Sequence, residues 1–395
     1  MGVHAAADSG DLAVLPTRDA RVGVTRLALT DFRNYATARL DLEPGPVVLT
    51  GPNGAGKTNL LEAVSFLSPG RGLRNARLSD VERNCRDGEG TGWAVAATLD
   101  SGHGTVRLGT GRDPSSGERR LVRIDGEPAR GQAVLSELVG IGWLTPQMDR
   151  LFIEGPAGRR RFLDRLVLGL DPAHAARVAG YEHAMRERAR LLRDGPADPH
   201  WLDALDETMA TQGVAVAAAR RDAVERLDDA CTLGESAFPR ARLRLAGTIE
   251  DWLDDMPALA VEERFKAALR QARPADAAAG GAAVGPHRSD LAVTHAARGA
   301  PAESLSTGEQ KALLISIVLA HAQLQRQTRG AAPLLLLDEV AAHLDATRRE
   351  ALFETLLGLR SQVWLTGTDT ALFSPLRHAA RFLSVSEGTL SATVF

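Results

Sequence analysis

The chain has 395 residues, of which 44% are hydrophobic and 25% are charged, and it carries a formal net charge of −3. This length allows one large domain or two of medium size, and the composition is ordinary for a soluble globular protein. No apolar run approaches the roughly 20 residues that cross a bilayer, so we expect no membrane partner.

Two features bear on the expected location of the chain. Residues 1–20 have no basic segment followed by an apolar one, so they predict a disordered tail and not a signal peptide. Cys85 and Cys231 are the only cysteines, and two cysteines make neither a metal cluster nor a disulfide framework. A reducing compartment, the cytoplasm, is therefore expected.

The first ordered segment predicts strands around a turn. Val22–Leu29 and Ala38–Glu43 alternate between apolar and polar residues, and Asp31–Tyr35 lies between them as a turn with two aromatic residues. Pro46–Thr50 is apolar and β-prone, and it predicts a buried strand that ends at Gly51.

A glycine-rich loop follows that strand and precedes a predicted helix at residues 59–66. Its spacing, Gly51-x4-Gly56-Lys57-Thr58, matches the Walker A pattern of phosphate-binding loops. Glycine lets the backbone approach a phosphate at the positive end of a helix, Lys57 can reach the β- and γ-phosphates, and Thr58 can hold Mg²⁺. The alternative is a glycine-rich turn that caps an ordinary helix. The predicted nucleotide-binding residues are Gly51, Pro52, Asn53, Gly54, Ala55, Gly56, Lys57 and Thr58.

The next segment predicts an antiparallel meander and then a short buried strand. Trp93–Leu99, Thr105–Leu108 and Arg119–Ile124 alternate and are separated by glycine-rich turns. Ile141–Asp149 begins as an apolar strand and ends in a polar loop with Gln147 at its tip. A glutamine in this position is compatible with a metal or water contact at a nucleotide, although a surface glutamine is the more common case.

The middle of the chain has a helical pattern. Arg159–Leu170 predicts a basic amphipathic helix, and Ala175–Arg193 and Trp201–Leu227 predict an antiparallel pair. Ala275–Ala283 is rich in Ala and Gly, and it predicts a linker or an exposed loop.

Two segments, residues 71–86 and 150–165, concentrate arginine. Basic clusters on a chain that is nearly neutral overall can follow a phosphate backbone, so both are candidates for DNA contact. Solvated helix surface is the alternative for each. The arginines are Arg71, Arg74, Arg77, Arg83 and Arg86 in the first segment and Arg150, Arg159, Arg160, Arg161 and Arg165 in the second.

Ser304–Gln310 precedes a long apolar helix. Ser306, followed three residues later by Glu309, predicts a capping box at the start of that helix. The same geometry can form a second anion site from Ser306, the Gly308 N–H and the helix dipole. A single-nucleotide enzyme has little use for such a site, whereas a dimer that sandwiches ATP between two chains needs one.

Leu334–Glu339 is an apolar strand that ends in two carboxylates, as in the Walker B motif. Ligands of open α/β sheets bind at the carboxyl ends of strands, so Asp338 can meet the Mg²⁺ held by Thr58. Glu339 is placed to orient or deprotonate the attacking water. A buried strand with a carboxylate cap is the alternative, but the two motifs together indicate nucleotide hydrolysis.

The order of these motifs resembles that of the ATP-binding-cassette ATPases, and the helical insertion that splits the head resembles their SMC-like branch. More specific strings resemble the RecF family of bacterial recombination mediators, over about residues 22–395. These strings are Asp31–Tyr35, Leu144–Asp149, Arg159–Asp164, Gly285–Asp290 and Trp364–Asp369.

The resemblance implies an α/β fold, namely an ABC-type P-loop ATPase head with an antiparallel β-subdomain and an inserted helical lobe. The head, lobe I, would comprise residues 21–150 and 284–395, and the helical lobe II residues 151–283. Lys57, Thr58 and Asp338 would bind Mg²⁺ and ATP, with Gln147 near the metal and Glu339 as the catalytic residue.

The resemblance also implies contacts across a dimer. Ser306 and Gly308 would bind the γ-phosphate of ATP held by the partner chain, and Asp345 would lie in the loop that crosses the dimer. Many cassette ATPases place a switch histidine where this chain has two threonines, so Thr366 or Thr368 becomes the candidate γ-phosphate sensor.

The implied function is that of a weak, DNA-stimulated ATPase. ATP would close a homodimer on DNA at gaps or single–double strand junctions, slow hydrolysis would release it, and RecO and RecR would be partners in recombinase loading. The alternative is the nucleotide-binding subunit of a membrane transporter, which normally has a shorter helical insertion. A third alternative is a plain P-loop kinase, in which Ser304–Gln310 would have no function.

Overall fold

The computed structural model describes residues 22–83, 92–100, 104–195, 198–233 and 237–393. The predicted tail at residues 1–20, and Cys85 and Arg86, lie outside these residues. The strands are β1 (Gly23–Phe32), β2 (Tyr35–Asp41), β3 (Val47–Thr50), β4 (Trp93–Asp100), β5 (Thr105–Arg112), β6 (Leu121–Ile124), β7 (Glu127–Pro128), β8 (Ile141–Leu144), β9 (Ala241–Ala246), β10 (Asp290–His295), β11 (Ala300–Pro301), β12 (Leu334–Leu337), β13 (Val363–Gly367), β14 (Arg381–Ser386) and β15 (Thr389–Ala392). The helices are α1 (Lys57–Ser65), α2 (Leu78–Val81), α3 (Leu135–Leu138), α4 (Pro156–Leu170), α5 (His174–Arg193), α6 (Pro199–Leu233), α7 (Thr248–Asp255), α8 (Ala258–Ala279), α9 (Thr307–Arg329) and α10 (Ala346–Gly358).

The central sheet has the order β15-β14-β3-β13-β12-β8. Its strands from β14 to β8 are parallel, and β15 closes the edge as an antiparallel hairpin partner of β14. Every residue of β3, β12 and β13 is buried, as expected for uninterrupted apolar runs in a sheet that is covered on both faces. The carboxyl ends of these three strands therefore meet at one edge.

A second sheet, of order β2-β1-β4-β5-β6-β7, is antiparallel throughout and confirms the predicted meander. Helix α1 is fully buried at Leu60, Leu61, Ala63 and Val64 and contacts both β1 and β13. The helix that follows the glycine-rich loop thus packs against both sheets, which fixes its direction.

The helical part of the chain contains a strand that the sequence analysis missed. The predicted pair is present as α5 and α6, and α6 also packs against α8 and α9. The segment predicted to be helical also holds β9, which pairs with β10 in a small antiparallel sheet. Its residues alternate between buried and exposed, with Ala241 and Leu243 inside and Arg242 and Arg244 outside. This alternation of apolar residues and arginines in the sequence is the pattern that predicts a strand.

The prediction of a linker or exposed loop at Ala275–Ala283 is wrong for its first five residues, which are helical. Helix α8 continues to Ala279 and ends at Gly280, which adopts a left-handed φ of 74°. Alanine is the best helix former. A tertiary contact also holds this end of the helix, because Asp276 is buried and forms an ion pair of 2.8 Å with Arg188 of α5.

Arg188 makes the central polar contact among these helices. It is 1% exposed and donates to Asp206 at 2.6 Å, to Asp276 at 2.8 Å and to the Leu269 carbonyl at 2.7 Å. Asp206 has a second cation in Arg273, so Asp276 depends on Arg188 for its charge partner.

Arg188→Ala leaves the Asp276 carboxylate buried without a cation, and we expect the free energy of unfolding to fall by about 3–5 kcal/mol. Urea unfolding followed by circular dichroism measures the change. The control is Arg186→Ala on the same helix, which removes an exposed pair with Glu182 and should cost less than about 1 kcal/mol. Equal losses in the two variants would contradict this account of Arg188.

Candidate functional site

The loop between β3 and α1 turns on glycines with positive φ. Gly51, Gly54 and Gly56 have φ values of 144°, 80° and 117°. A Cβ on Gly51 would clash with the Val385 carbonyl oxygen, and one on Gly56 would lie 2.6 Å from the Asn34 side-chain nitrogen. Glycine is thus required at both ends of the loop by backbone conformation and by neighbouring atoms.

Lys57 is the first residue of α1 and is only 5% exposed. Its ammonium donates to the carbonyls of Gly51 at 2.7 Å and Pro52 at 2.9 Å, so it spans the loop. Burial lowers the pKa of Lys57, while the carboxylates of Glu339 and Asp338 oppose that shift. The cation and both carboxylates therefore share one site.

The string Asp31–Tyr35 supports the loop from outside. The Asn34 side chain donates to the Ala55 carbonyl at 3.0 Å, and the Tyr35 hydroxyl donates to the Gly56 carbonyl at 3.0 Å. The sequence predicted a turn with two aromatic residues here, and the string resembled one of the RecF family, but its contacts were not predicted. The contacts show why a polar residue and a tyrosine stand together there.

Thr58 and Asp338 come together as predicted, although 280 residues separate them. The Thr58 hydroxyl lies 3.0 and 2.9 Å from the two carboxylate oxygens of Asp338. Thr366, at the end of β13, donates to Asp338 at 2.7 Å and accepts from the Glu339 N–H at 2.9 Å. Glu339 has a φ of 54°, an uncommon conformation for a residue with a side chain and one that is typical of functional sites.

The two threonines proposed as sensors differ in position. Thr366 is 1% exposed, and its hydroxyl is engaged by Asp338 and Glu339, so it holds the carboxylate strand in place. Thr368 follows the end of β13 and is exposed. This contrast leaves Thr368 as the more accessible of the two candidates.

Gln147 lies in a short 3-10 segment, Pro146–Arg150, directly after β8. It is exposed, and no hydrogen bond of its side chain occurs within the part of the chain that the structure describes. Asp149 of the same segment pairs with Lys311 of α9 at 3.3 Å. The glutamine loop is thus joined to the helix that starts at Ser306.

Ser306 forms the predicted capping box. Its hydroxyl accepts from the Glu309 N–H at 3.4 Å and donates to the Glu309 carboxylate at 2.8 Å, and that carboxylate also accepts from the Ser306 N–H at 3.1 Å. Ser306 and Gly308 are exposed, and a Cβ added at Gly308 would touch nothing within 4 Å. Among the described contacts, none joins these two residues to the phosphate loop of their own chain.

The basic clusters are partly used by the fold. Arg159 makes a two-pronged ion pair with Asp290 at 2.7 and 2.8 Å, and Arg74 pairs with the buried Glu62 at 2.6 Å. Arg165 lies 4.3 Å from the Trp143 ring centroid, and burial lowers its pKa to about 9. DNA contact by the two clusters stays a prediction, but Arg159, Arg74 and Arg165 are already held by carboxylates or an aromatic ring of the same chain.

The string Gly285–Asp290, which had no role in the sequence analysis, joins several helices. Besides the Arg159–Asp290 pair, the Pro286 carbonyl accepts from Arg220 at 2.6 Å and His287 contacts the Tyr181 hydroxyl at 2.6 Å. This short string thus connects α4, α5 and α6.

The chain is similar to proteins of one family. Residues 23–390 match the family described as RecF/RecN/SMC N terminal domain. The chain is 51% identical over 382 residues to the DNA replication and repair protein RecF of Mesorhizobium japonicum, covering 95% of this chain and 99% of that protein. The chain belongs to the RecF family. RecF of Agrobacterium fabrum is 50% identical over 376 residues, covering 94% of this chain and 99% of its own.

Solved structures support the fold of this RecF-family chain. The recombination mediator protein RecF-ATPrS of the RecFOR pathway superposes with a TM-score of 0.83 at 20% identity, covering 95% of this chain and 99% of that one. An Smc head domain from Pyrococcus furiosus gives a TM-score of 0.52 at 15% identity, covering 94% and 96% of the two chains. The predicted ABC-type head with an antiparallel sheet and added helices is confirmed.

No helix in the described ranges combines the length and the apolar character needed to cross a membrane.

Tyr35→Phe tests the support of the phosphate loop. Burial raises the pKa of Tyr35, so its hydroxyl stays a donor, and its loss should lower the free energy of unfolding by about 1 kcal/mol. Amide exchange of residues 51–56 should become faster. Tyr181→Phe, which removes a bond to His287 instead, is the control and should leave exchange in the loop unchanged. A loop that exchanges at the same rate in Tyr35→Phe would show that the hydroxyl gives it no support.

Proposed function

We propose that this chain is an ATP-dependent DNA-binding protein of replication and recombinational repair, active as a homodimer. The observation that carries the proposal is the convergence of Thr58, Asp338, Glu339 and Lys57 at one edge of the central sheet. The head would comprise residues 21–150 and 284–395, and the helical lobe residues 151–283.

The residues at this edge fit Mg²⁺ and ATP. The eight residues Gly51 to Thr58 would hold the phosphates through backbone N–H groups and the Lys57 ammonium. The Thr58 hydroxyl and the Asp338 carboxylate, already within 3.0 Å of each other, are oxygen ligands of the kind that Mg²⁺ prefers, and Gln147 would lie near them. Bound Mg²⁺ would offset charge that develops on the phosphates.

Glu339 is the proposed catalytic residue. It directly follows Asp338 at the end of β12, and the Thr366 bond to its N–H holds its backbone. Its carboxylate would orient the attacking water and accept its proton. The expected activity is a slow, DNA-stimulated ATP hydrolysis that acts as a switch.

The exposed start of α9 supports the dimer. Ser306 and Gly308 offer the N–H end of a helix of 23 residues, and a helix N-terminus attracts anions. Since neither residue contacts the phosphate loop of its own chain, a γ-phosphate bound there would come from ATP held by a second chain. Asp345, at the N-cap of α10, would lie near that contact.

The relatives supply the biological setting. Their name, DNA replication and repair protein RecF, and the RecFOR pathway of the solved neighbour support a role in DNA replication and repair. DNA gaps or junctions are the proposed site of action, and RecO and RecR are the proposed partners. Family membership disfavours the alternative of a transporter subunit.

Ser306→Arg tests whether ATP is bound between two chains. ATP should convert the unaltered protein from monomer to dimer, and ADP should not, because it lacks the γ-phosphate. In Ser306→Arg the bulky side chain occupies the anion site, so ATP should still bind to one chain while the dimer and its hydrolysis are lost. Sedimentation velocity and nucleotide binding measure both. Normal dimerisation of this variant would show that Ser306 only caps the helix and does not bind the γ-phosphate.

Two further variants separate capping from anion binding. Asp and Asn cap helices about as well as Ser, so Ser306→Asp and Ser306→Asn should both keep α9 intact. The Asp carboxylate should repel the γ-phosphate and block the dimer, whereas the neutral Asn should retain much more of it. Identical dimerisation of the two would argue against a phosphate at this helix end.

Glu339→Gln should have the opposite effect to Ser306→Arg. The amide has nearly the same shape but cannot accept a proton, so ATP turnover should fall by at least 10²-fold. The ATP-bound dimer should then persist, and persist longest on DNA. Light scattering after ATP addition follows its lifetime, and a lifetime equal to that of the unaltered protein would remove Glu339 from the catalytic step.

A further inference from the structure

A cavity of about 450 Å³ lies between the loop after α1 and the helices α4 and α5. Gly70–Leu73 and the strand β8 form one side, and residues of α4 and α5 form the other. The phosphate loop lies at the start of α1, whereas the cavity lies beyond its end, and neither residues 51–58 nor Gln147 nor Asp338 line it. It is therefore distinct from the nucleotide site.

Four arginines line this cavity: Arg71, Arg161, Arg165 and Arg329. Within the described residues none of the four has a carboxylate oxygen within 4.0 Å. Arg165 lies over the Trp143 ring, and its hydrogen bonds are long, to the Trp143 carbonyl at 3.4 Å and the Met148 sulfur at 3.6 Å. Arg329 donates to carbonyls, at best at 2.8 Å to that of Ser136.

The carboxylates of the cavity are already engaged. Asp164 accepts two bonds of 2.8 Å from Arg220 and a third contact of 2.8 Å from His174, and Glu182 pairs with Arg186 at 3.4 Å. Four arginines against two carboxylates that already have partners leave the cavity with an excess of positive charge. An excess of this kind inside a cleft favours an anionic ligand.

His174 adds a buried polar atom in need of a partner. The side chain is 1% exposed, its Nε2 faces Asp164, and its Nδ1 is buried without a hydrogen-bond partner among the described residues. Where Nε2 donates to the Asp164 carboxylate, Nδ1 of a neutral ring is an acceptor. A ligand hydroxyl or amino group would satisfy it.

The lining and the volume of the cavity indicate which class of ligand it could bind. Ile141, Trp143, Leu168 and Val178 supply apolar surface beside the arginines. A volume of about 450 Å³ lies in the range of roughly 300–1,000 Å³ of small-molecule sites. Arginine is the preferred cation for phosphate, because its planar fork matches the phosphate oxygens.

We propose that this cavity binds the phosphate group of a small, hydroxyl-bearing ligand of mononucleotide size. Arg161 and Arg71 would hold the phosphate from the two sides, and His174 would accept a hydrogen bond from the ligand. The phosphate could belong to a free nucleotide or to the end of a DNA strand, and these sources are distinguished below.

Calorimetry on the full chain tests the site, with Lys57→Ala as the background so that the phosphate loop does not contribute. The probes are AMP, inorganic phosphate and adenosine. AMP and phosphate should bind this background, and adenosine at least tenfold more weakly than AMP. Arg161→Glu and Arg71→Glu, both at exposed positions, should each weaken AMP binding by tenfold or more.

The matched control is Arg193→Glu, at the far end of α5 from His174 and roughly 30 Å away along the helix, and it should leave AMP binding unchanged. Absence of binding by both AMP and phosphate at millimolar concentration would overturn the proposal. Equal effects of Arg161→Glu and Arg193→Glu would do the same, since the loss would then reflect net charge alone.

Competition assigns the source of the phosphate. If a 5′-phosphorylated DNA duplex displaces AMP and its unphosphorylated form does not, the ligand is a DNA end. If neither duplex displaces AMP, the ligand is a free nucleotide. The Ser306→Arg dimerisation test does not involve this cavity, so the proposed function and this site can fail separately.

Discussion

The Asp338 carboxylate is held by hydroxyl groups from two other segments, Thr58 at the start of α1 and Thr366 at the end of β13. This contact requires β3, β13 and β12 to be parallel neighbours, since only then do their carboxyl ends meet. Each hydrogen bond contributes about 0.5–1.5 kcal/mol net, whereas burying one leucine side chain contributes about 1.5–3 kcal/mol. The leucine-rich strands therefore provide most of the stability, and the polar contact is positioned by them.

The glycine-rich loop depends on the same arrangement. Its positive φ values free the N–H groups, and Ala55 packs in the hydrophobic core. Asn34 and Tyr35 hold two of its carbonyls from the antiparallel sheet, and the Gly388 N–H holds the Ala55 carbonyl from the closing hairpin at 3.1 Å. The antiparallel sheet thus fixes the outer side of the loop, and α1 fixes its inner end.

A second polar contact joins the helices to the rest of the chain. Burial by itself would raise the pKa of the Asp164 carboxyl, but hydrogen bonds from His174 and Arg220 hold it below its usual value. Arg220 also binds the Pro286 carbonyl, and Arg159 pairs with Asp290. This network uses arginines that look like a basic surface in the sequence, and it leaves Arg161 beside a cavity with an excess of positive charge.

The sequence by itself determined the elements whose signals are local. The Walker spacing, the fully apolar Leu334–Leu337, the capping box at Ser306 and the helix pair α5 and α6 follow from neighbouring residues, and the structure has them. Tertiary structure decided what depends on distant partners: the extension of α8 through Asp276, the support of the phosphate loop by Asn34 and Tyr35, and the capture of Arg159 by Asp290, 131 residues away. Propensity and periodicity report which face of an element is buried, but the partner across the interface depends on how strands and helices far apart in the chain come to pack together.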